Sequence, residues 1–348
     1  MADQTQPAPE TRPTFLGFTK PKRGWIQIQK PMIGTTLALA PAALWGIYSF
    51  GWRVLAMLAL SFALSILTEG LFTWRQGKPV TSSVFVTATL FALILPPSLP
   101  LWMAAVGIVF AVVFGKMVFG GFGNNAFNPA MVGRAFLYIT FPVQMTARWN
   151  AATDAFPRGL DNWLVDTFTG ATPLVAVEQG QAFDYVDAAL GFIPGSAGEI
   201  SFVLVAAGGA YVMLRKWAAW QSVLATALFA VGLQTAFYFT GNLGINSETP
   251  VNPLYMVLTG GFALGLFFMV TDPVSSANTN IGRWVYGAII GISTVVIRTF
   301  GQFAEGFMFA VLLGNTFAPI IDYTVRERQR AKKAAAKAKA DAAKGATP

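Results

Sequence analysis

The sequence contains no cysteine and no histidine, and only 11% of its residues are charged. Without cysteine, disulfides and iron–sulfur clusters held by thiolates are excluded. Without histidine, the usual zinc sites and histidine-ligated haem are excluded as well. Any redox chemistry in this chain therefore has to come from an organic cofactor.

Long charge-free runs are the main feature that the sequence does have. Apolar residues make up 54% of the 348, and neither 80–115 nor 217–247 contains a charged side chain. About 20 apolar residues are enough to cross a bilayer as a helix. The runs are continuous rather than alternating, which excludes a membrane β-barrel. The sequence therefore predicts an all-α polytopic membrane protein, and its polar residues 1–31 are not expected to form a cleavable signal.

About ten transmembrane helices are predicted from the hydrophobic segments. The segments are 33–50, 53–73, 82–97, 101–118, 127–145, 200–214, 218–240, 254–271, 284–300 and 305–322. VTATLFALILPPSLP (86–100) and VLTGGFALGLFFMVTDP (257–273) share a pattern that ends in a proline break, and they lie five segments apart. This spacing favours two inverted five-helix repeats, with a chance match between apolar sequences as the alternative.

The distribution of lysine and arginine predicts the orientation of the chain. Basic residues flank the first and last segments and occupy the short loops on the same side, whereas 146–199 holds seven acidic and two basic residues. Because basic residues mark the cytoplasmic side, both termini are predicted to be cytoplasmic and 146–199 to be an external loop. The net charge of +8 follows this pattern, so no nucleic acid partner is expected.

Three parts of the chain follow from these patterns. They are a cytoplasmic segment at 1–32, a membrane domain at 33–325 and a basic, low-complexity cytoplasmic tail at 326–348. The tail is expected to be a solvated helix or a disordered extension, with weak contact to anionic membrane lipid as the alternative.

One stretch of the external loop, DTFTGATPL (166–174), has two interpretations. Thr172 followed by Pro173 is typical of a helix start, with the threonine as N-cap. The alternative is that the hydroxyl of Thr172 holds a group covalently. Taken alone, the stretch favours the helix cap.

Four sequence blocks, in order along the chain, resemble a known family. They are KMVFGGFGNNAFNPAMVGRAFLYITFP (116–142), DTFTGATPL (166–174), TDPVSSANTNIGRWVYGAIIG (271–291) and AEGFMFAVLLGNTFAPIIDY (304–323). The family contains the B subunit of the sodium-translocating NADH:quinone reductase and the related D subunit of the Rnf ion-translocating complex. The likeness runs from about 33 to 325. PVTSSVFVTATLFALILPPSLPLW (79–102) favours the reductase branch, and the short N-terminal region favours the Rnf branch.

The resemblance implies a covalent flavin in the external loop. In the family, FMN is joined by a phosphoester to the last residue of the motif Asp-x-x-Ser/Thr-Gly-Ala-Ser/Thr. The matching residues are Asp166, Thr169, Gly170, Ala171 and Thr172, with Thr172 as the acceptor. A hydroxyl is needed to accept the phosphoryl group, and the small residues before it leave room for approach. The resemblance also implies a separate flavin transferase outside the cytoplasmic (inner) membrane of a bacterial cell.

A glycine-rich break, FGGFGNNAFNP (119–129), precedes the fifth segment. It is either a turn that enters a helix, with Arg134 reaching the interface, or non-helical backbone that lines a cavity. The resemblance implies that it surrounds a quinone or a second flavin, for which riboflavin is the candidate. The residues concerned are Gly120, Gly121, Asn124 and Asn125.

Acidic residues at segment ends are candidates for an ion pathway. Asp272 closes the eighth segment and Asp322 closes the tenth, and both are expected near the cytoplasmic face. Each is either an ordinary helix end or a group that helps a cation enter; Glu69 is a weaker candidate. Sodium-pump members of the family usually have an acid directly after the lysine of GK-x-VFGG, where this chain has Met117, and this argues against sodium uptake at that position.

The function expected from the sequence is that of an FMN-carrying membrane subunit of an ion-translocating oxidoreductase complex. It would pass electrons between flavins and towards quinone, coupled to transport of Na⁺ or H⁺. The chain has no NADH fingerprint, so other subunits must deliver the electrons. The alternatives are the Rnf subunit, a cofactor-free channel and a membrane scaffold.

Overall fold

The computed structural model of the chain describes 14–15, 18–19, 25–150, 158–169, 176–177, 180, 184–198, 201–241, 250–301 and 306–345. Within these residues the α-helices are α1 Lys30–Phe50, α2 Trp52–Thr73, α3 Ser83–Leu93, α4 Leu101–Val112, α5 Pro129–Thr140, α6 Pro142–Thr146, α7 Tyr185–Leu190, α8 Phe202–Leu214, α9 Trp220–Thr240, α10 Pro253–Leu258, α11 Phe262–Leu264, α12 Asn280–Phe300 and α13 Gly306–Gly345. Short π-helical turns, Val113–Met117 and Gly265–Met269, continue α4 and α11.

The described strands form three pairs of very short strands. β1 (Thr14–Phe15) pairs antiparallel with β2 (Phe18–Thr19), and β3 (Ile26–Gln27) pairs parallel with β4 (Val80–Thr81). β5 (Arg148–Asn150) pairs antiparallel with β6 (Thr167–Thr169). All three pairs lie outside the helical segments, so the fold is all-α.

Each of the ten predicted hydrophobic segments contains a helix. Five helices are long and apolar enough to cross a membrane: Lys30–Phe50, Trp52–Gln76, Trp220–Thr240, Asn280–Phe300 and Gly306–Ala338. Three further apolar helices are shorter: Ser83–Leu93, Leu101–Met117 and Phe202–Leu214. The prediction of an all-α polytopic membrane protein is confirmed, whereas ten crossings stay a prediction.

Large apolar side chains are exposed on the outer faces of the long helices. Leu44 of α1 is 66% exposed, and Leu228 and Phe239 of α9 are 58% and 81% exposed. Water would penalise such surfaces, whereas lipid tails are as apolar as leucine. These faces therefore fit contact with lipid.

The third and eighth segments are broken and lie at the centre of the molecule. Prolines that follow α3, beginning with Pro96, prevent the helix from continuing. Gly260 and Gly261, which have φ of +64° and +65°, separate α10 from α11. Leu93, Ile94 and Val270 are each fully buried. Non-helical backbone at membrane depth is tolerated only when protein or a cavity surrounds it, and this location meets that condition.

Helix packing is similar in the two halves. In the first half α3 packs against α1, α2 and α5, and α4 contacts α2 and α5. In the second half the eighth segment contacts α8, α9 and α13, and α12 contacts α9 and α13. The same order of neighbours favours the two inverted repeats, which stay a prediction.

Buried polar side chains repeat in the same way. Near the end of α2, Glu69 accepts the backbone N–H of Thr81, just before α3. In α9, Gln234 donates to the carbonyl of Val251, just before α10. At the end of α12, Arg298 donates to carbonyls at the start of the eighth segment, as Lys116 does to hydroxyls at the start of the third. In the first half, side chains of α2 and of the turn after α4 bind the start of the third segment. In the second half, side chains of α9 and α12 bind the start of the eighth.

The connections gather at two ends of the bundle. We call the end formed by 74–82, 116–128, 271–280 and 322–326 the basic end, and the end formed by 50–53, 94–100, 141–150 and 158–169 the opposite end. Strand β3 and the charged part of α13 both lie at the basic end. The described chain that leads into α1 and the end of the apolar part of α13 therefore lie at the same end of the bundle, as an even number of crossings predicts.

Candidate functional site

Two non-helical stretches face each other at the basic end. In the first, Gly120, Gly121 and Gly123 have φ of +103°, +92° and +97°, a backbone region that residues with a Cβ rarely adopt. The second, 270–279, follows the π-helical turn of the eighth segment. The glycine-rich break is therefore non-helical backbone beside a cavity. It is also a turn that enters a helix, because Asn128 caps α5 by accepting the N–H groups of Ala130 and Met131. Arg134, which that alternative placed at the interface, is 4% exposed.

A cavity of about 60 Å³ lies between these stretches. Its polar wall contains Lys116, Asn125, Asn128 and Asp272, and its apolar wall includes Leu90, Val86, Phe268 and Trp217. The cavity brings together Asn125 and Asp272, two of the residues that the sequence singled out. Gly120 and Gly121 are not among its lining residues, so their contribution is to shape the chain that carries Asn125.

A buried ion pair lies beside this cavity. The ammonium of Lys116 contacts the Oε2 carboxylate oxygen of Glu69, and the two side chains are 2% and 1% exposed. Lys116 Nζ also donates to Ser83 Oγ at 2.7 Å and to Thr81 Oγ1 at 3.0 Å. Thr81 in turn donates its hydroxyl and its backbone N–H to Glu69 Oε1. The charge pattern of the sequence counts Lys116 among the basic residues of the short loops, but the lysine is enclosed between α2 and α3.

The N-terminal segment is attached to this cluster through β4. Strand β3 pairs with Val80–Thr81, and the backbone N–H of Gln29 donates to Ser82 Oγ at 2.8 Å. Pro31, Met32 and Thr35 at the start of α1 contribute to the cavity wall. Thr81 therefore binds the ion pair through its side chain and also pairs with β3, which precedes the start of α1 at the cavity wall.

Asp272 organises the turn after the eighth segment. Its Oδ1 accepts the backbone N–H of Val274 at 3.0 Å, and its Oδ2 accepts the hydroxyl of Ser275 at 3.0 Å. Its carboxylate also faces the cavity that Lys116 lines. Asp272 and Lys116 are the two charged residues that line this cavity, so the lining carries one charge of each sign.

A wider cleft of about 560 Å³ lies next to the first cavity. Asn124, Asn125, Asn278 and Asp322 lie on its wall together with Arg326. The wall of this cleft contains carboxamides, hydroxyls, carboxylates and guanidinium groups, which suits a polar ligand with several hydrogen-bonding groups.

Asp322 has a structural role that the sequence did not reveal. Its carboxylate accepts the backbone N–H groups of Asn278 and Thr279, at 2.7 and 3.0 Å, and the hydroxyl of Thr279 at 2.7 Å. Thr279 caps α12 by accepting the N–H of Gly282. Asp322 of α13 therefore fixes the start of α12. It lies within its own helix and holds the end of a neighbouring one.

Asn315 connects the two non-helical stretches and was not recognised from the sequence. It is 1% exposed, and its Oδ1 accepts the backbone N–H of Asn128 at 3.1 Å. Its Nδ2 donates to the carbonyl of Ser275 and to the hydroxyl of Tyr286. The available signal was a single carboxamide inside the apolar tenth segment, where an unpaired polar group would be costly.

At the opposite end, the turn between α1 and α2 holds the start of the 158–169 stretch. Trp52 and Arg53 donate their backbone N–H groups to the carbonyls of Asn162 and Trp163, and Val165 donates to the carbonyl of Phe50. At Gly51, φ is +103°, and a Cβ would lie 2.6 Å from the carbonyl oxygen of Asn162. Only glycine allows the two backbones to approach this closely.

The same stretch ends in the first half of the flavin motif. Asn150, which is fully buried, donates from Nδ2 to the carbonyl of Val165, and β5 pairs with β6 up to Thr169. Asp166 is exposed. Gly170, Ala171 and Thr172 lie outside the described residues. The structure therefore places Asp166 and Thr169 at the opposite end of the bundle from the cavity, the glycine-rich break and Asp322.

These features define a polytopic helical membrane protein with a polar, partly non-helical centre and an anchored loop at one end. A family model described as "NQR2, RnfD, RnfE family" matches residues 22–331. The chain belongs to this family, and the resemblance found in the four sequence blocks is confirmed.

Relatives with assigned names point to one branch of the family. Three of them bear the name of the B subunit of the Na(+)-translocating NADH-quinone reductase. The relative from Ectopseudomonas mendocina is 39% identical over 315 residues, which cover 87% of this chain and 74% of the relative. The one from Haemophilus influenzae (strain PittEE) is 40% identical over 284 residues, 76% of this chain and 64% of the relative. The one from Neisseria meningitidis serogroup B is 39% identical over 278 residues, 78% of this chain and 67% of the relative.

Proposed function

We propose that this chain is the membrane subunit of an ion-translocating oxidoreductase complex of the sodium-translocating NADH:quinone reductase type. It carries FMN on Thr172 and passes electrons between flavins and towards quinone, coupled to transport of Na⁺ or H⁺. Membership of the family, together with relatives named as the B subunit of that reductase, is the observation that carries the proposal. Those names favour the reductase branch over the alternative, the D subunit of the Rnf complex. The other subunits of the complex, a flavin transferase and membrane lipid are the partners.

The anchored loop supports the flavin assignment. Asp166 is exposed, and the chain from 158 to 169 is held by the α1–α2 turn and by the β5–β6 pair. A fixed loop at the surface allows a transferase to reach the acceptor and limits where the attached group can lie. When bound, FMN supplies one- and two-electron chemistry, while the loop residues of this chain hold its attachment point.

The cavity and cleft at the basic end support a second site, for a quinone or for a second flavin such as riboflavin. Asn124 and Asn125 offer carboxamide donors and acceptors to such a ring system, and Phe268 and Trp217 offer apolar walls. Flavin and quinone rings both need a few polar contacts within an apolar pocket. Gly120 and Gly121 belong to this assignment because their positive φ positions the asparagines.

Asp272 and Asp322 are proposed to help cations enter at the basic end. A carboxylate can replace water oxygens that a hard cation loses on entering a protein. In the purified complex, Asp272→Asn and Asp322→Asn are expected to raise the Na⁺ concentration for half-maximal NADH:quinone turnover several-fold, because the substitution removes the charge that offsets desolvation. Covalent flavin, quantified in parallel, should stay at the wild-type level.

Two controls separate this role from a structural one. Asp161→Asn neutralises an exposed acid at the opposite end and should leave the Na⁺ dependence unchanged. Thr279→Val removes a hydrogen bond to Asp322 but keeps its charge, so it should lower stability without shifting the Na⁺ requirement. A Na⁺ dependence that is unchanged in both aspartate variants would leave these acids as anchors of helix ends. A complex whose NADH:quinone turnover moves neither Na⁺ nor H⁺ across the membrane would contradict the proposed function itself.

The chain is proposed to lie in the bacterial inner membrane with both termini cytoplasmic. Because the sequence lacks cysteine, a single introduced cysteine reports its own location. Asn162→Cys, at the opposite end, should react with a membrane-impermeant thiol reagent on intact cells. Ala335→Cys, in the extension of α13, should react only after the cells are opened. The reverse labelling pattern would invert the proposed orientation.

A cofactor-free channel is the second candidate function. The broken third and eighth segments and the polar cavity between them would also suit a pore. A channel, however, needs no phosphoryl acceptor in an anchored surface loop. The flavin test on Thr172 therefore distinguishes the two functions.

A further inference from the structure

Helix α13 continues far beyond the membrane. From Gly306 to Val325 the helix carries a single charged residue, Asp322, and its 20 residues span about 30 Å, the thickness of the hydrocarbon core. The remaining part, Arg326–Gly345, is about 30 Å longer still and contains eight basic and two acidic residues. The described side chains in 326–338 are all exposed. The extension is therefore a charged rod that projects from the basic end.

Most of its basic residues lie on one face. Successive residues of an α-helix are about 100° apart around its axis, and five of these basic residues lie within about 40° of their common mean direction. They are Arg326, Arg330, Lys333, Lys337 and Lys344, which we call the basic face. The other three, Arg328, Lys332 and Lys339, lie roughly on the reverse side of the helix. Successive members of the basic face are four, three, four and seven residues apart, and together they cover about 27 Å.

The membrane surface is a poor partner for this face. Lys337 lies about 16 Å beyond Arg326 along the axis, whereas charges are screened within about 8 Å at physiological ionic strength. A helix that lies flat on a bilayer needs large apolar residues on one side. Between Arg326 and Gly345 alanine is the sole apolar residue type. Lipid contact is therefore limited to the first turn of the extension.

We propose that the basic face docks on an acidic surface of another subunit's extramembrane domain. This inference rests on the proposed function, in which the chain works within a complex. Arg326 and Arg330 contact Asp322 and Glu327 of the same helix, at 3.8 and 2.9 Å, and the lysines continue the row beyond them. A row of cations along a helix complements a row of carboxylates, and such contacts fix register and partner choice. The extension is pre-organised for this role, because the membrane part of α13 provides the costly helix nucleus.

The test uses the whole complex in native membranes and a photoreactive group on a cysteine that is unique within this chain. Cross-links are followed through an affinity tag on this chain and compared with the cysteine-free wild type. Ala340→Cys lies on the basic face, and Ala335→Cys lies on the reverse side of the same helix. A benzophenone maleimide on residue 340 should cross-link a protein subunit several-fold more strongly than one on residue 335. The triple variant Arg330→Gln, Lys333→Gln, Lys337→Gln should abolish that cross-link. The matched triple Arg328→Gln, Lys332→Gln, Lys339→Gln removes the same charge and should retain it.

Other outcomes overturn the inference. Cross-links to lipid from residue 340 would assign the face to the membrane. Equal cross-linking yields from residues 340 and 335 would show that neither face of the helix is selected. Equal loss of the cross-link in both triple variants would show that only total charge matters. Flavin loading and ion-coupled turnover are measured on the same samples. If both persist in either case, the proposed function stands while this inference fails. A wild-type chain that purifies without any other subunit would overturn the proposed function and this inference together.

Discussion

Thr172→Val is expected to abolish covalent flavin completely. Valine has nearly the shape of threonine but lacks the hydroxyl that accepts the phosphoryl group, so no phosphoester can form. When the chain is co-expressed with the flavin transferase and separated on a denaturing gel, the wild-type band should fluoresce and the variant band should be dark. Loss of the bond leaves any flavin bound only by non-covalent contacts, which denaturation removes.

Three controls make this result specific. Thr172→Ser keeps a hydroxyl and should retain fluorescence. Thr169→Val alters the other threonine of the motif, at the end of β6, and should stay fluorescent. Asn162→Ala changes the 158–169 stretch, which the α1–α2 turn holds, without altering the motif, and it should stay fluorescent. Fluorescence that persists in Thr172→Val, or that is lost in Thr169→Val instead, would contradict the assignment to Thr172. A wild-type band without fluorescence would favour the cofactor-free alternative.

The membrane segments were predictable because hydropathy is a local property. The predicted seventh segment, 218–240, corresponds to α9 at Trp220–Thr240, and the ninth, 284–300, lies within α12 at Asn280–Phe300. The glycine pattern of 119–129 also predicted its break, since positive φ favours glycine wherever it occurs. The extent of α13 was left open, and the strong helix propensity of alanine and lysine explains why the helix continues to Gly345.

The contacts that build the site were not predictable, because each joins residues far apart in the chain. Lys116 follows a charge-free run, and hydropathy cannot distinguish a lysine at the interface from one paired with a carboxylate 47 residues earlier. Asn315 likewise looks like an isolated polar residue until its partners Asn128 and Ser275 are known. Asp322 was recognised as important, but its hydrogen bonds to Asn278 and Thr279 depend on the packing of α12 against α13.

The similar helix packing of the two halves gives these contacts a common pattern. Polar anchors occur where the third and eighth segments begin. In the eighth segment Arg298 also donates to the carbonyl of Gly260, where the helix is interrupted. A broken helix leaves backbone groups without intrahelical partners, and the anchors supply some of them. The anchors therefore hold the ends of these segments in place, and those at Thr81 and Ser83 do so beside the polar cavity.

Lys116→Met is expected to have the largest effect on stability of any single substitution outside the flavin motif. It would leave the carboxylate of Glu69, which is 1% exposed, without its cation. Removing one partner of a buried pair typically costs about 3–5 kcal/mol, because the remaining charge stays buried. The purified chain should therefore lose its monodisperse form at a much lower temperature than the wild type. Lys78→Met, which removes an exposed lysine at the same end, should change stability by less than about 0.5 kcal/mol.

The double variant Glu69→Gln, Lys116→Met shows whether the pair itself is responsible. Glutamine keeps an acceptor for the N–H and hydroxyl of Thr81, so the strand that holds the N-terminal segment should stay in place. With both charges gone, no uncompensated ion remains, and the loss should be well below the sum of the two single losses. Single-variant losses that simply add would show that Glu69 and Lys116 act independently. In that case the start of α3 would depend on the hydroxyls of Thr81 and Ser83 rather than on the ion pair.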